Sequence, residues 1–366
     1  FYGSSEKHIE QKKQKEQEEQ KKQKEEQTSK NTQTNKTTQT NKTTQIIKPT
    51  QITKTTQSKQ QIKSTQNLNF TCKKVFNGIL DPSPRIIVIG DLHADFNNTK
   101  IMLKKLNIID ENNNWIAKPN NTIVVQLGDQ LDGGGRSETE SFGELDLINF
   151  MEDLHQKALK KGGGVYSLIG NHEIMNLMGD FTYASKEDIQ IQQGIFKRKQ
   201  IFSPGYDLFN KLSCTRPVIL KIGDFIFAHA GILPEHINNN EKDLFIRKIN
   251  TLMRLFLQGK KSKYDEDINR YFLTKSGIIW NREYGDDKPA CHKFEKISKM
   301  LNVGHMIVGH TVQENINSKC DNKLWRVDVG ISDVFETKNY QVLEILNNGV
   351  SDKSNNYKPI RIITLN

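Results

Sequence analysis

Short apolar runs that end in glycine and a polar residue recur through the middle of the chain. Arg85–Ile89, Thr122–Leu127 and Val165–Ile169 have the length and composition of buried strands, and each is followed by Gly-Asp or Gly-Asn. Between them, Asn97–Leu106 and Phe142–Leu159 carry apolar residues at helical spacing. This order of elements predicts a sheet with helices on its faces, and the polar residues at the strand ends are expected to gather along one edge of it.

The second half of the chain continues the alternation of strands and helices. Helical spacing recurs over 174–213, 241–258 and 290–301. The further strand-like runs are Pro217–Ile222, Phe225–Ala228, Met306–Val308, Lys323–Val329 and Tyr340–Leu346. The pattern predicts an α/β (α+β) fold, in which two sheets stack as a β-sandwich flanked by helices.

The predicted domain organisation has three parts. Residues 1–75 form a Lys/Gln/Thr-rich, low-complexity tail, which is expected to be disordered because it cannot bury enough apolar surface to offset chain entropy. Residues 76–347 form the folded domain, within which the helical segment 180–212 is expected to cap the site. Residues 348–366 are an extension that can add an edge strand at Arg361–Leu365.

The positive charge of the chain lies mostly in the tail. The formal net charge is +10, and residues 1–70 contribute +7 of it, from 14 lysines and 7 glutamates. The remaining +3 does not indicate a specific nucleic-acid surface on the folded part. The tail is interpreted as a solvated linker, with weak contact to acidic partners or anionic membranes as the alternative.

The cysteines and the hydropathy pattern leave the compartment open. Four cysteines lie far apart without a CxxC pair, which excludes a zinc knuckle but leaves both two disulfides and four thiols open. No apolar run of about 18 residues predicts a transmembrane span. The first residue is Phe1 rather than Met, so a removed signal peptide, and with it the secretory pathway, stays open beside a cytoplasmic location.

Five strand-end clusters place metal-binding side chains beside small residues. They are Gly90-Asp91-Leu92-His93, Gly128-Asp129-Gln130-Leu131-Asp132, Gly170-Asn171-His172-Glu173, His229-Ala230-Gly231 and Gly309-His310-Thr311. Taken singly, these could be ordinary turn residues and core histidines, but their shared position argues against that reading. The oxygen and nitrogen donors suit divalent Mn, Fe or Zn, and not a thiolate-type structural zinc.

The residue types also predict a reaction. Two metal ions about 3.5–4 Å apart would hold a bridging hydroxide for an in-line displacement at phosphorus. Asp129 is the carboxylate that could bridge the two ions. His172, which is not needed as a ligand, is the expected general acid, with Asp132 as the residue that orients it.

These motifs resemble the phosphoprotein phosphatase branch of the calcineurin-like metallophosphoesterases. That family's pattern is GDxHG, GDxxDRG, GNHE, H[GA]G and a late histidine, and the similarity covers roughly residues 84–346. Four more segments resemble the bacterial-type Shewanella-like protein phosphatases: Asn176–Tyr183, Phe202–Gly205, Ile279–Tyr284 and Arg326–Gly330.

The resemblance implies a ligand set for each metal and contacts from arginines to the phosphate. One metal would be held by Asp91, His93 and the bridging Asp129. The second would be held by Asp129, Asn171, His229 and His310.

Two positions depart from the family pattern. Ala94 replaces a glycine, and Gly133 replaces the arginine that clamps the phosphate in the family, so a bidentate guanidinium is lost there. Arg282 and Arg136 are the candidate phosphate-binding replacements, together with Asn171. The alternative for Arg136 is a solvent-facing loop charge.

The sequence therefore favours a metal-dependent phosphomonoesterase that acts on a phosphoprotein substrate. A dinucleoside polyphosphate hydrolase, or a similar small-molecule phosphoesterase, is the first alternative. A phosphate-binding homologue weakened by Gly133 is the second. The sequence leaves open the native metals, the oligomeric state and the choice between phosphoserine/threonine and phosphotyrosine.

Overall fold

The computed structural model describes residues 66–67, 69–237, 244–260, 265–335, 337, 339–349 and 359–365. Most of the expected tail lies outside the described residues. Its last part does not behave as a free tail: the Asn67 amide donates to the Gly205 carbonyl at 2.9 Å, and Cys72 is bonded to Cys214. The described chain thus joins the fold before Phe76, the expected start of the folded domain.

The strands of the described chain build two sheets. They are β1 (Ile79–Leu80), β2 (Arg85–Ile89), β3 (Ile123–Gln126), β4 (Gly164–Ser167), β5 (Ile219–Ile222), β6 (Phe225–Ala228), β7 (His305–Val308), β8 (Asn317–Lys319), β9 (Leu324–Arg326), β10 (Gln341–Leu346) and β11 (Ile360–Thr364). The first sheet has the order β11-β10-β2-β3-β4, and the second has the order β1-β5-β6-β7-β9-β8. The short strands β1 and β8 were not predicted, because they have only two and three residues, and β8 is polar throughout.

Helices connect the strands. They are α1 (Phe96–Lys105), α2 (Glu144–Leu159), α3 (Asn171–Met178), α4 (Lys186–Ile191), α5 (Ile195–Ile201), α6 (Asp207–Thr215), α7 (Phe245–Leu257), α8 (Asp265–Ile268) and α9 (Cys291–Leu301). A short 3-10 turn, Asp333–Phe335, follows β9. No helix of the described part is both long and apolar enough to cross a membrane.

One core lies between the two sheets, and a second lies on the outer face of the sheet that contains β6. Phe225 and Phe227 of β6 belong to the same buried cluster as Ile86 of β2, which shares a face of the first sheet with Ile345 and Ile360. Ile226 and Ala228 of β6 belong to the other cluster, which contains residues of α6 and α7. Side chains alternate between the faces of a strand. The predicted two-sheet fold with flanking helices is therefore confirmed.

Parallel pairing brings the strand ends that precede the motifs together. In the first sheet β2 pairs with β3 and β3 with β4, all parallel, and in the second sheet β6 and β7 are parallel. The carboxyl ends of parallel strands lie at the same edge of a sheet. The backbone amide of Gly309, after β7, donates to the carbonyl of His229, after β6, at 2.8 Å.

All four cysteines are paired, which resolves the alternative that the sequence left open. Cys72–Cys214 joins the segment before β1 to α6, and Cys291–Cys320 joins α9 to the turn between β8 and β9. The first bond spans 142 residues and the second spans 29. Sequence spacing could not identify these pairs, because each depends on long-range packing.

The segment expected to cap the site is helical, and it also contributes to a core. Residues 180–212 contain α4, α5 and the first part of α6. Phe202 and Phe209 of this segment are fully buried in the second core. At the other end of the domain, β11 is an edge strand that pairs antiparallel with β10, with Ile345 opposite Ile360.

Ile86→Ala should lower the free energy of unfolding by about 2–5 kcal/mol, because it leaves a cavity in the core between the sheets. Ile362→Ala is the matched control, with an expected cost of about 1 kcal/mol or less, since this side chain is 41% exposed on the edge strand. Urea titrations of the two variants measure the difference. Equal losses would contradict the placement of the main core between the sheets.

Candidate active site

The loops after β2 and β3 are tied together by backbone hydrogen bonds. The amides of Leu92 and His93 both donate to the Asp129 carbonyl at 3.0 Å, and the amide of Ala94 donates to the Gln130 carbonyl at 2.9 Å. This pairing brings the side chains of His93 and Asp129 close together, as the motifs predicted.

Several site residues have left-handed backbone. The φ angles are 39° at His93, 61° at Ala94, 53° at Asp129, 71° at Asp132 and 66° at His310. Non-glycine residues reach this region at a cost of about 1 kcal/mol or more each, so such backbone concentrates at functional sites. The value at Ala94 also gives a reason for glycine at that position in the family pattern, because glycine adopts positive φ without this cost.

Hydrogen bonds to the Glu173 carboxylate connect the loop after β4 to the loop after β3. Its carboxylate accepts three backbone hydrogen bonds, from Gly170 at 2.7 Å, Gln130 at 2.8 Å and Asp129 at 3.0 Å. A Cβ added to Gly170 would lie 2.6 Å from the Asp129 amide nitrogen, so only glycine allows this approach. Because Glu173 lies in the first turn of α3, the helix start and the metal-ligand loop are held in one position.

Two groups of possible metal ligands share Asp129. In each group the ligand atoms lie within 4.8 Å of one another. One group is Asp129, His229 and His310, and the other is His93, Asp129 and His172. A carboxylate that belongs to both groups has the position expected of a bridging ligand.

The histidines present unprotonated nitrogens to these groups. One ring nitrogen of His93, His229 and His310 lies 2.9–3.1 Å from a backbone carbonyl, and a carbonyl can only accept a hydrogen bond. In a neutral imidazole the other nitrogen is then an acceptor, which is the form that binds a metal. The three carbonyls belong to Leu131, Leu127 and Trp280.

When His229 is neutral, as a metal ligand must be, this leaves acceptor atoms facing each other. Its Nε2 lies 3.2 Å from Asp129 Oδ2 and 2.9 Å from Asn171 Oδ1. Two ligand atoms bound to one ion at about 2.1 Å lie roughly 3–3.5 Å apart. The residues therefore fit a divalent cation.

Burial and charged neighbours shift the pKa values of Asp129 and of the three histidines. Despite burial, His229 and His172 hold the pKa of Asp129 well below its usual range. Burial and then the neighbouring His229 lower the pKa of His310 to about 3. Burial lowers the pKa of His93 too, and Arg136 adds to that shift. Burial opposes a raised pKa for His229, but Asp129 raises it nevertheless. The ionised Asp129 beside neutral His93 and His310 is the protonation state required for metal binding, and the raised pKa of His229 shows that Asp129 favours a cationic partner.

Asp91, the further ligand expected for the first metal, is buried next to His310 and His229. Its carboxylate accepts a hydrogen bond from the His310 amide, with Oδ2 at 3.2 Å, and Oδ1 lies 3.9 Å from His229 Nδ1. Burial, and then the carboxylates of Asp328 and Asp129, raise its pKa well above the usual range. His172, rather than Asp91, completes the group with His93 and Asp129.

Asp328 is a site residue that the sequence reasoning missed. It follows β9 in the segment Arg326–Gly330 and is almost fully buried beside Gly90. Its Oδ1 accepts from the Gly330 amide, whereas Oδ2 has no hydrogen-bond partner in the part of the chain that the structure describes. Its position at a strand end was the available signal.

The expected acid and its orienting partner are in contact. His172 Nδ1 lies 2.7 Å from Asp132 Oδ2. Because a carboxylate oxygen can only accept, Nδ1 is the donor and Nε2 is the free nitrogen of the ring. Nε2 points toward Arg136, whose Nη2 lies 2.9 Å away.

Arg136 lies in the site and is not a solvent-facing loop charge. Its Nη1 donates to the Asp132 carbonyl at 2.8 Å, and its guanidinium lies between the rings of Tyr183 and Phe335, 4.6 and 5.2 Å from their centroids. Neither aromatic residue was predicted from the sequence. Gly133 itself has no room for a side chain, since a Cβ there would lie 2.0 Å from the Ser141 carbonyl oxygen.

Arg282, the other candidate arginine, lies at the rim of the site. Its side chain is exposed, and Nη1 donates to Thr311 Oγ1 at 3.1 Å and approaches the His310 carbonyl at 3.4 Å. The structure therefore brings one guanidinium beside His172 and another beside His310.

Comparisons with known proteins agree with this geometry. The calcineurin-like phosphoesterase family model matches residues 84–314. Shewanella-like protein phosphatase 2 of Arabidopsis thaliana is 29% identical over 309 residues, which cover 71% of this chain and 75% of that protein. Shewanella-like protein phosphatase 1 of Plasmodium berghei (strain Anka) is 32% identical over 260 residues, or 68% of this chain and 67% of that protein.

A solved structure is similar along most of the chain. The crystal structure of the cold-active protein-tyrosine phosphatase of a psychrophilic Shewanella species superposes with a TM-score of 0.65 and 26% identity. The match covers 80% of this chain and 84% of that one.

Glu173→Gln should weaken metal binding about 10- to 100-fold without removing a proposed ligand, because an amide nitrogen cannot accept the backbone hydrogen bonds that hold the two loops. Calorimetric titration with Mn²⁺ or Zn²⁺ measures the affinity. Glu344→Gln is the control, since this buried glutamate pairs with Arg85 and Arg361 on the first sheet. Unchanged affinity in Glu173→Gln would contradict the role of the carboxylate.

Proposed function

This chain belongs to the calcineurin-like phosphoesterase family and is a hydrolase of the phosphatase type, and from that membership we propose that it is a metal-dependent phosphoprotein phosphatase. The observation that supports this most is the shared position of Asp129 between two ligand groups, with the His172–Asp132 pair beside them. Such an arrangement provides cation sites and a proton donor for the same reaction.

In this proposal two divalent ions occupy the two ligand groups. Asp91, His93 and Asp129 would hold one, and Asp129, Asn171, His229 and His310 would hold the other. When bound, such ions polarise a phosphoryl oxygen and lower the pKa of a coordinated water, which supplies the nucleophile. The mixed oxygen and nitrogen donors are compatible with Mn, Fe or Zn.

His172 would donate the proton that the leaving oxygen requires. Asp132 accepts from Nδ1 and so fixes the ring orientation, which leaves Nε2 directed toward the substrate. After protonation, Nε2–H can donate to the ester oxygen of the phosphorylated side chain. A group that only binds phosphate does not need this proton donor, so the pair argues against a non-catalytic role.

Arg136 would bind the phosphoryl group in place of the arginine that Gly133 replaces. Its Nη2 lies 2.9 Å from His172 Nε2 and 3.4 Å from His93 Nδ1, at the junction of the acid and the first ligand group. On substrate binding, the guanidinium and the imidazole would each contact a substrate oxygen instead of one another. Arg282 would contribute from the rim beside His310.

The aromatic residues beside Arg136 favour a phosphorylated aromatic side chain. Tyr183 lies with its ring centroid 5.2 Å from that of His172, and Phe335 lies 5.2 Å from His93. These rings form apolar walls next to the reacting groups. The similar Shewanella structure is titled a protein-tyrosine phosphatase, which supports phosphotyrosine as the first substrate class to test.

The test of this function is hydrolysis of p-nitrophenyl phosphate and of phosphotyrosine and phosphoserine peptides by the full chain with Mn²⁺. Hydrolysis of a dinucleoside tetraphosphate in the same series tests the small-molecule alternative. Asp129→Asn should abolish turnover on every substrate. Activity that is the same in wild type and Asp129→Asn would reject the proposal.

His172→Asn should lower kcat on a phosphotyrosine peptide by about 10²–10⁴-fold, the usual contribution of a general acid. The loss on p-nitrophenyl phosphate should be much smaller, because an acidic phenol leaves without a proton. His292→Asn, an exposed histidine on α9, should behave as wild type. A loss of equal size on both substrates would exclude His172 as the proton donor.

Arg136→Lys should lower kcat/KM by about tenfold or more, because lysine cannot make the paired contacts of a guanidinium to a phosphate. Arg282→Lys should cost less, since Arg282 is exposed. Arg247→Lys, at an exposed position of α7, is the control. A larger loss in Arg282→Lys than in Arg136→Lys would assign phosphate binding to Arg282.

Gly133→Arg should destabilise the protein rather than raise activity, because the added side chain would meet the Ser141 carbonyl.

A further inference from the structure

We propose that Arg198 is a positioning residue for catalysis: it holds the Asp132 carboxylate in the one orientation that lets His172 act as proton donor. This inference rests on the proposed function, in which His172 protonates the leaving group. Arg198 lies on α5, in the segment 180–212 that the sequence predicted only as a cap, and belongs to none of the five motifs.

Arg198 is fully buried behind the His172–Asp132 pair. Its relative exposure is 0%, and its guanidinium packs near the rings of Phe202 and Phe181, 4.6 and 5.2 Å from their centroids. These rings exclude water from the guanidinium. A cation in this position is costly to bury unless each charged contact is satisfied, so its partners indicate what it does.

The two oxygens of Asp132 have different partners. Oδ2 accepts a hydrogen bond from His172 Nδ1 at 2.7 Å. Oδ1 accepts hydrogen bonds from Arg198 Nη2 at 3.2 Å and from Asn176 Nδ2 at 2.9 Å. The donors on Oδ1 fix the rotation of the carboxylate, and this rotation decides where Oδ2 lies. Without them, the carboxylate could turn and the imidazole would lose its defined direction.

Arg198 also determines which way the amide of Asn176 points. Arg198 Nη2 donates to Asn176 Oδ1 at 2.6 Å. A guanidinium has donors only, so the oxygen of the amide must face it and the NH₂ group must face Asp132. The His172 carbonyl, which accepts from Asn176 Nδ2 at 2.9 Å, supports the same orientation, so Arg198 is one donor to Asp132 Oδ1 and helps to orient the other.

Glu144 anchors the other side of the guanidinium. Arg198 Nη1 donates to Glu144 Oε1, and Nη2 donates to Oε2 at 3.2 Å. Gln192 bridges the same pair, since it accepts from Arg198 Nη1 at 3.0 Å and donates to Glu144 Oε1 at 2.6 Å. The first turn of α2 and the end of α4 thus fix Arg198 relative to Asp132.

Arg198 is also the cation that balances a group of buried acids. Asp132, Glu144 and Asp188 are all almost fully buried. Burial, and then the Glu144 carboxylate, raise the pKa of Asp188 to about 7, which shows how strongly negative charge accumulates there. Arg198 supplies a buried positive charge in contact with two of these acids, Asp132 and Glu144.

The alternative is that Arg198 only attaches the segment 180–212 to α2. A structural role of that kind would lower the activity on all substrates alike when Arg198 is changed. A positioning role affects proton donation, so the loss should depend on how much the leaving group needs a proton. Two aryl phosphates of similar shape separate these cases.

The experiment compares Arg198→Lys with wild type on phenyl phosphate and p-nitrophenyl phosphate, using the full chain loaded with Mn²⁺. Lysine keeps the charge but cannot contact Glu144 and Asp132 at once. The expected result is a loss in kcat of about 10- to 100-fold on phenyl phosphate, against about threefold or less on p-nitrophenyl phosphate, with KM nearly unchanged.

Arg85→Lys is the matched control. Arg85 also forms a largely buried ion pair, with Glu344 at 2.7 Å, but it lies at the start of β2, whereas the motif residues follow the end of that strand. This variant should show no difference between the two substrates. The double variant Arg198→Lys/His172→Asn should be no worse on phenyl phosphate than His172→Asn alone, since both changes remove the same function.

Equal losses of Arg198→Lys on the two substrates, or losses that add in the double variant, would overturn the proposal. If Arg198→Lys does not fold, Asn176→Ala replaces it, because it removes the second donor to Asp132 Oδ1 and should give the same selective loss. A non-selective Asn176→Ala would then reject the inference.

His172→Asn separates this inference from the function on which it rests. If His172→Asn itself shows no preference between the substrates, the proposed role of His172 fails and the role of Arg198 fails with it. If His172→Asn discriminates and Arg198→Lys does not, only the inference about Arg198 fails.

Discussion

Buried carboxylates at the strand ends impose the constraint on which the rest of this structure depends. Asp129, Asp132 and Glu173 are at most 2% exposed, and an ionised carboxylate without partners is very costly to bury. Each is stabilised differently. Glu173 accepts three backbone hydrogen bonds, Asp129 faces imidazoles, and Asp132 contacts His172 and a buried guanidinium. The two sheets and the loops between them are arranged so that these partners meet.

This constraint also explains the rigidity expected of the site. Because Glu173 binds amides from two loops at once, the ligand-bearing turns cannot move independently. The left-handed backbone at His93 and Asp129 persists only because such contacts over-determine it. A site that is fixed before substrate arrives does not have to reorganise during the reaction, which is the condition for effective electrostatic stabilisation.

Two guanidinium groups reach the site from positions that lie outside the family motifs. Gly133 lacks the family's arginine, yet Arg136 brings a guanidinium beside His172 from three residues further along the chain. Tyr183 and Phe335 hold it there through ring contacts. Similarly, Arg198 reaches Asp132 from a segment 66 residues away, outside every motif. The site is therefore assembled from the motif loops and from the helical segment that follows α3.

The sequence by itself determined the order of strands and helices, because hydrophobic periodicity is a local property of the chain. It also determined the metal-ligand candidates and the His172–Asp132 pair, since their residue types stand at recognisable strand ends. Only the tertiary structure decided the pairing of the cysteines, the inward direction of Arg136, and the positions of Asp328 and Arg198 beside the site residues. Each of these depends on groups far apart in the chain, and the direction of a loop side chain or the partner of a buried charge is fixed by packing that local sequence does not encode.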